Sequence, residues 1–427
     1  PGPFMAPPPL VAFAGRVQAM AQILEAVGQG RRVFITGQGG GVGFGRTALA
    51  LEFAHGMRSN FPDGVFWVVG SPFDPYLAAL RIATALKVDL RMLAPSGEAG
   101  RAFEALLAGR RCLLVLDEVS DTRLLHMLPP IGPSVVFTGR DASLADATDA
   151  AVVTLGPLTQ AESEPLLHHL LGSERLRLEP VAARELTSFL GHHPLSIRIA
   201  VASLTESPPA SGPALSLLVR NLRSRLNRLQ SFSGESRLTA AAFSCTLETL
   251  SQAERGFLHA ISVLSPQGFS IDAAATVGQA PAIRVAEWLG RLVRLCLVQS
   301  LGHHRFALHP LVGDLARGLG PLEDPRSRAG AYFLGHALSH SDAPELIDQE
   351  IEGILAAMSH GMEIGDAQLV KDFALALGPY FDLRGFREEV PRRLQWGVAA
   401  ARATHDVKAE GRLNRWLGRL FVRRGAL

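Results

Sequence analysis

The sequence is short of cysteine, of long apolar runs and of excess charge, and each shortage argues against a class of protein. The three cysteines (Cys112, Cys245 and Cys296) lie far apart in 427 residues, so neither a disulfide framework nor a cysteine-based metal site is expected. No apolar run approaches the roughly 18 residues that cross a membrane. The first residues lack the basic and apolar segments of a signal peptide. We therefore expect a cytoplasmic protein without a membrane partner.

The charge balance and the length narrow the class further. The net charge is +2, from 42 basic and 40 acidic residues, which argues against nucleic acid as a partner. A hydrophobic content of 47% and a charged content of 19% are typical of a globular protein with several domains at this length. The chain begins with proline rather than methionine, so we expect a piece of a longer protein.

A glycine-rich stretch is the most informative feature. An apolar strand precedes residues 37–47 (GQGGGVGFGRT), and a helical pattern follows them. Such a loop lets several backbone N–H groups point at a phosphate, and the helix N-terminus adds partial positive charge. The pattern G-x-x-x-x-G-K-[ST] is met by Gly40, Gly45 and Thr47, with Arg46 in place of the lysine. We predict that this loop binds a nucleotide phosphate and that Thr47 is a Mg²⁺ ligand.

Strands alternating with helices predict a parallel α/β sheet in the first part of the chain. The third strand leads into Asp117 and Glu118, and the fourth ends next to Arg140. Since open α/β sheets bind ligands at the carboxyl ends of their strands, Asp117 is predicted to hold Mg²⁺ and Glu118 to activate water. Arg140 is predicted to sense the terminal phosphate. Ordinary solvated side chains at a strand end are the alternative.

Beyond residue 156 the pattern becomes helical. A capping-box signature at residues 159–162 opens a helix, and residues 207–213 form a proline-rich linker. Residues 239–320 combine three helices with a small hairpin, which is the winged-helix pattern. A motif at 377–385 recurs at 417–425, and this offset predicts a helical-hairpin solenoid.

Two motifs of the helical part contain histidine and proline. In Gly-His-His-Pro-Leu, Pro194 interrupts a helical run and offers an apolar face to a base; a simple helix kink is the alternative. His309 stands among apolar residues, where a core or helix-capping role is the commoner one. The adjacent histidine pairs lack metal-ligand spacing.

Together these features resemble an NB-ARC-type STAND nucleotide-binding switch, a family of bacterial signalling ATPases, plant disease-resistance proteins and apoptosome scaffolds. The resemblance covers residues 11–427. The matching segments are, in the family's order, the adenine-pocket motif (13–16), the Walker A loop (37–47), the second-strand motif (61–67), Walker B (113–118), the sensor motif (135–140), the G-x-P motif (191–195) and the winged-helix histidine motif (306–311).

The resemblance implies an ADP or ATP site with Mg²⁺. The nucleotide-contacting residues that it implies are Phe13, Gly15, Arg16, Gly40, Gly43, Gly45, Arg46, Thr47, Ala48, Pro194, Leu195 and His309. The Mg²⁺ ligands that it implies are Thr47 and Asp117. The catalytic positions that it implies are Asp117, Glu118 and Arg140.

The resemblance also implies a multidomain α/β + α architecture that combines a P-loop NTPase parallel α/β sheet with helical domains. The expected segments are a linker (1–10), a nucleotide-binding domain (11–156), a small helical ARC1-like domain (157–212), a connecting helix or linker (213–238), a winged-helix domain (239–322) and the start of a TPR-like repeat sensor (323–427).

The implied function is a switch that is autoinhibited with ADP. On activation, by an unknown ligand at the repeats, it would form a homo-oligomer and regulate an effector outside this chain, in bacterial defence or regulation. Two alternatives stay open: a winged-helix DNA-binding transcription regulator of the same class, helped by the basic stretch at 220–228, and a nucleotide-binding pseudo-ATPase scaffold.

Three departures from the family pattern bear on the chemistry. Arg46 keeps the lysine's charge but is a planar fork, so we expect slow regulatory turnover at most. The family's G-x-G-G-x-G-K-T also aligns from Gly37, with four extra residues before Gly45. Pro310 follows His309 where the family usually has an acidic residue.

Overall fold

A five-stranded parallel sheet forms the first part of the protein. The structure, a computed structural model, describes residues 2–10, 12–69, 75–89, 99–129, 131–206, 214–226, 234–384 and 390–423. The strands are β1 (Val33–Gly37), β2 (Val65–Val69), β3 (Leu113–Val119), β4 (Ser134–Gly139) and β5 (Ala151–Leu155), in the order β2-β3-β4-β1-β5. Strands β1 to β4 are almost wholly buried, which explains their continuous apolar runs. The predicted parallel sheet is confirmed.

Helices cover the sheet and connect its strands. They are α1 (Val17–Gly28), α2 (Arg46–Gly56), α3 (Pro75–Leu86), α4 (Ala99–Leu107), α5 (Arg123–Met127) and α6 (Ser143–Asp146). The last two are too short to show a helical period and were not predicted. Because β4 lies between β1 and β3 and all three strands are parallel, the loop after β1 lies at the same edge of the sheet as the carboxyl ends of β4 and β3.

The proline-rich segment expected to be a linker lies along the edge of the sheet. Phe4 forms a parallel bridge with Val65, and the Met5 N–H donates to the Val65 carbonyl at 2.8 Å. The Phe4 ring contacts His55 edge-on and lies under the Arg58 guanidinium, 4.5 Å from the ring centre. Residues 3–5 therefore pair with Val65, the first residue of β2, at the outer edge of the sheet.

After the sheet, the described residues form the helices α7 (Gln160–Leu178), α8 (Pro180–Phe189), α9 (Pro194–Ala202), α10 (Ala214–Leu226) and α11 (Gly234–Leu247). The predicted capping box of Thr159 and Glu162 is present at the start of α7. Pro194 is the first residue of α9, a position where proline costs no hydrogen bond, so it does not kink a continuous helix. The predicted linker at 207–213 lies outside the described residues.

A small mixed unit comes next, with α12 (Gln252–Ile261), β6 (Phe269–Ser270), α13 (Ile271–Gly278), α14 (Ala282–Arg294), β7 (Val298–Gly302), β8 (Arg305–Leu308) and α15 (Pro310–Arg317). Its three strands form an antiparallel sheet in the order β6-β8-β7. The predicted three helices and hairpin are present. The two-residue strand β6 is an addition, since so short a strand has no readable alternation.

The last part is a helical repeat, as predicted, with α16 (Glu323–Ser339), α17 (Pro344–Glu363), α18 (Ala367–Arg384), α19 (Val390–Ala403) and α20 (Val407–Arg423). Asp366 and Asp406 occupy the same place before α18 and α20. Each carboxylate accepts a backbone N–H of the first turn at 2.9 Å. Within the part of the chain that the structure describes, no helix is both long and apolar enough to cross a membrane.

Candidate functional site

The loop after β1 has the backbone geometry of an anion cradle. Gly43 and Gly45 are left-handed, with φ of 88° and 91°, whereas Phe44 between them is not. Alternation of this kind turns successive N–H groups to one side of the chain. Arg46 then begins α2, whose N-terminus points into the same space.

The carbonyl groups of three successive loop residues accept hydrogen bonds from distant segments of the chain. The three bonds are His193 Nε2–H to Val42 O (2.9 Å), Leu195 N–H to Gly43 O (3.4 Å) and Arg16 Nη2–H to Phe44 O (3.0 Å). In a trans peptide the C=O and the following N–H point in opposite directions. The N–H groups of residues 43–45 therefore face away from these donors, on the side where a phosphate would lie. This arrangement fits a bound polyphosphate.

The segment that contains Arg16 forms several hydrogen bonds with other parts of the site. The Arg16 guanidinium also donates to the Gly156 carbonyl at 2.6 Å, and its backbone N–H donates to Glu162 Oε1 at 2.5 Å. Gly15 is left-handed, and a Cβ there would lie 2.7 Å from Glu162. Phe13 packs against the apolar cluster between α1, α2 and the sheet. The predicted adenine-pocket residues thus join the loop to the start of α7.

Asp117 lies at the end of β3 with two hydroxyl groups on one of its oxygens. Thr47 Oγ1 donates to Oδ1 at 2.9 Å and Thr138 Oγ1 donates at 2.7 Å. Burial, and then the charge of Glu118, raise the pKa of Asp117 to about 6, against the opposing effect of these hydrogen bonds and of Arg46. The Thr47 hydroxyl and the Asp117 carboxylate are hard oxygen donors placed side by side, which fits Mg²⁺.

Glu118 is held in an unusual backbone conformation. Its φ of 59° is left-handed, and the register between β3 and β4 shifts at this point. A non-glycine residue in this region costs on the order of 1–3 kcal/mol. The Glu118 N–H donates to Thr138 Oγ1 at 2.8 Å, so Thr138 holds both acidic residues. The shift re-aims the Glu118 side chain towards the loop.

The Arg46 side chain is turned towards the strand ends. It is only 4% exposed, and Nη2 forms an ion pair with Glu118 Oε1 at 2.9 Å. Nη1 donates to the Gly139 carbonyl at 3.1 Å. Arg140 approaches the other Glu118 oxygen at 3.7 Å and is half exposed. The predicted water-activating carboxylate therefore lies between the two predicted phosphate-binding arginines.

His309 reaches the same site from beyond β8. Its Nδ1 accepts the Leu311 N–H at 3.2 Å, so it caps α15, which is one of the two commoner roles of such a histidine. Burial, and then electrostatic interaction with the nearby His193, Arg46 and Arg140, lower the pKa of His309 to about 4. An anion among these groups would favour the charged ring.

The remaining predicted residues lie close by. Gly40 is left-handed, and a Cβ there would lie 3.5 Å from the Arg140 carbonyl. Ala48 is in the first turn of α2. Pro194 lies between His193 and Leu195, which both donate hydrogen bonds to the loop. Across the described ranges, no group of three or more His, Cys, Asp or Glu is placed to hold a metal ion.

Three residues of this site escaped the sequence reasoning: His193, Thr138 and Glu162. In the sequence, His193 is one of two adjacent histidines that lack metal-ligand spacing. Thr138 and Glu162 belong to recognised motifs, but Thr138 bonds Asp117, 21 residues away, and Glu162 bonds Arg16, 146 residues away. The signal that the sequence offers for His193 is its place directly before Pro194 in a helical run.

Comparisons with known proteins agree with this geometry. Residues 14–175 match the family model of the NB-ARC domain. "Regulatory protein AfsR" of Streptomyces coelicolor is 28% identical over 330 residues, which cover 74% of this chain and 33% of that protein. The protein of the same name from Streptomyces griseus is 28% identical over 331 residues, with the same coverage. The chain thus spans about a third of the length of these curated relatives.

A solved structure shares the fold over almost the whole chain. It is a Signal Transduction ATPase with Numerous Domains (STAND) protein with a tetratricopeptide repeat sensor from Pyrococcus horikoshii. The TM-score is 0.54 at 13% identity, and the match covers 99% of this chain and 76% of that one. At this identity the likeness shows the fold, a P-loop NTPase sheet followed by a helical repeat domain.

Proposed function

This chain contains an NB-ARC domain, and on that premise we propose that it is an ATP- and ADP-dependent switch that regulates an effector outside the chain. The observation that carries the proposal is the origin of the three donors to the phosphate loop. Arg16 precedes the sheet, whereas His193 and Leu195 begin α9. A movement of α9 relative to the sheet would therefore change the loop that binds phosphate.

The bound nucleotide would set the arrangement of these parts. With ADP, the β-phosphate would accept hydrogen bonds from the loop N–H groups. Its negative charge would also attract His309 at the start of α15. The terminal phosphate of ATP would compete with the Glu118 carboxylate for Arg46 and Arg140, because both are anions. Exchange of ADP for ATP would thus loosen the Arg46–Glu118 pair.

Mg²⁺ would be held by Thr47 and Asp117, where it would neutralise phosphate charge. Turnover is expected to be slow, because Glu118 must first give up its ion pairs with Arg46 and Arg140 before it can activate water. In Arg46→Lys the compact ammonium would hold Glu118 less well than the guanidinium fork. Faster ATP turnover in this variant than in wild type supports a restrained site; equal or slower turnover contradicts it.

The central experiment is the nucleotide content of the purified chain. Protein purified without denaturation should release ADP when it is unfolded, and Thr47→Ala should retain less. A chain that carries no nucleotide and whose melting temperature does not rise with ADP or ATP would rule out the switch.

Transcription regulation by the same chain is the second candidate. The curated relatives are named regulatory proteins, so the comparisons do not support excluding nucleic acid as a partner. In this reading the unit of residues 239–322 would act as a winged helix on DNA. Duplex DNA binding that weakens steeply with salt would support it, and absence of binding at low salt would exclude it for this chain.

Activation by a ligand at the repeats and assembly into a homo-oligomer are further parts of the proposal. The helical repeat of α16 to α20 offers an extended surface for such a ligand. Light scattering with ADP and with a non-hydrolysable ATP analogue tests assembly. An equal mass in both states would remove oligomerisation from the mechanism.

A further inference from the structure

We propose that His193 is a positioning residue that keeps the phosphate loop in its anion-binding form. Its Nε2–H holds the Val42 carbonyl outward, and the Gly43 N–H on the same peptide is thereby directed to the bound phosphate. The inference rests on the proposed nucleotide binding and assigns to His193 a part in it that does not require contact with the nucleotide.

The tautomer of His193 follows from its partners. A carbonyl oxygen can only accept, so the proton must be on Nε2, 2.9 Å from Val42 O. Nδ1 is then the acceptor, and it faces the Ser196 N–H at 3.3 Å and the Ser196 hydroxyl at 2.7 Å. Burial lowers the pKa of His193, which keeps the ring in this neutral form. Both ring nitrogens are therefore satisfied in one orientation.

A buried chain of hydroxyl groups extends this orientation to α11. Ser196 Oγ lies 3.0 Å from Thr239 Oγ1, and neither residue is exposed to solvent. Because the Ser196 hydroxyl donates its hydrogen bond to His193 Nδ1, the Thr239 hydroxyl must be the donor to Ser196 Oγ. Helix α11 packs against α9 and also against α15, which His309 caps. The hydrogen-bonded chain thus connects the phosphate loop to a helix that also contacts the His309 segment.

The packing around the ring leaves it little freedom. A Cβ on Gly43 would lie 2.6 Å from His193 Cε1, so the loop backbone lies directly against one side. The Phe44 ring meets it edge-on, with centroids 5.3 Å apart. A leucine in place of His193 would keep the apolar contacts but leave the Val42 carbonyl without its hydrogen-bond donor. The peptide between residues 42 and 43 would then be free to rotate its N–H away from the phosphate.

The test compares His193→Leu, His193→Gln and His192→Leu by calorimetric titration with ADP. Leucine should weaken ADP binding by about tenfold, the effect of one buried hydrogen bond. Glutamine has an amide nitrogen at a similar reach to Nε2, so it should restore binding to within about threefold of wild type. His192→Leu is the matched control, since His192 Nδ1 faces the Ser163 hydroxyl and not the loop; its ADP affinity should be unchanged.

A second variant tests the chain of hydroxyl groups. Thr239→Val keeps the side-chain shape and should weaken ADP binding in the wild-type background but not further in His193→Leu. Three results would each overturn the inference. They are wild-type ADP affinity in His193→Leu, an affinity of His193→Gln as low as that of His193→Leu, and additive effects of His193→Leu and Thr239→Val. Thermal midpoints without ligand should be similar for the His193 variants. A wild-type chain that binds no ADP would instead refute the proposed function itself.

Discussion

Alanine at Gly43 gives the sharpest test of the loop geometry. Gly43 has a φ of 88°, a left-handed conformation that costs an alanine about 1–2 kcal/mol. The added Cβ would also lie 2.6 Å from His193 Cε1 and 3.1 Å from Leu195 Cβ. The ring cannot withdraw without breaking its bond to the Val42 carbonyl, which contributes about 1 kcal/mol.

These two effects together amount to about 2–3 kcal/mol against the anion-binding form of the loop. Since the loop can relax when no nucleotide is bound, the cost should appear in binding and not in folding. Gly43→Ala should therefore bind ADP about 30- to 150-fold more weakly than wild type, with a similar thermal midpoint in the absence of ligand.

Gly39→Ala is the matched control. Gly39 is also left-handed, with a φ of 59°, but a Cβ there would have no heavy atom within 4 Å. It therefore carries the conformational cost without the collision. By calorimetric titration, Gly43→Ala should bind ADP at least about fivefold more weakly than Gly39→Ala. Equal affinities of the two variants would refute the contact between loop and His193.

Three further predictions follow from the site and the repeats. Mg²⁺ affinity, titrated with ADP present, should fall about tenfold per pH unit below about 6, because only ionised Asp117 binds the ion; a flat profile contradicts this. Without ligand, wild type should lose stability relative to His309→Gln as the pH falls from 6.5 towards about 4, since the native ring resists a proton that the unfolded chain accepts; denaturant titrations that change in parallel contradict this. Gly378→Ala should lower stability by about 1–3 kcal/mol, because its Cβ would lie 2.1 Å from Trp416, whereas Gly418→Ala, with no heavy atom within 4 Å, should not; equal thermal midpoints would contradict this.

Several parts of the fold were readable because their signals are local. A strand buried on both faces must be apolar throughout, as β1 and β3 are, and a loop that turns its N–H groups inward needs glycine at left-handed positions such as Gly43 and Gly45. The capping box at Thr159 is likewise a pattern within four residues. These local signals predict the parallel sheet, the phosphate loop and the start of α7.

The interior of the site was not readable in this way. The predicted nucleotide-contacting residues Arg16, Leu195 and His309 lie close to the loop. Their hydrogen-bond partners depend on which strands are neighbours and on how α9 lies against the sheet. No local pattern indicates that Glu118 adopts a left-handed backbone or that it pairs with Arg46, 72 residues earlier.

The amino-acid sequence by itself determined the α/β sheet, the glycine loop with its arginine, and the order of the helical parts, because each rests on residue spacing within one element. Only the tertiary structure decided that His193 holds the loop from outside and that Arg46 is paired with Glu118. Hydrogen bonds between distant segments exist only once the strand order and the helix packing have brought their donors and acceptors together.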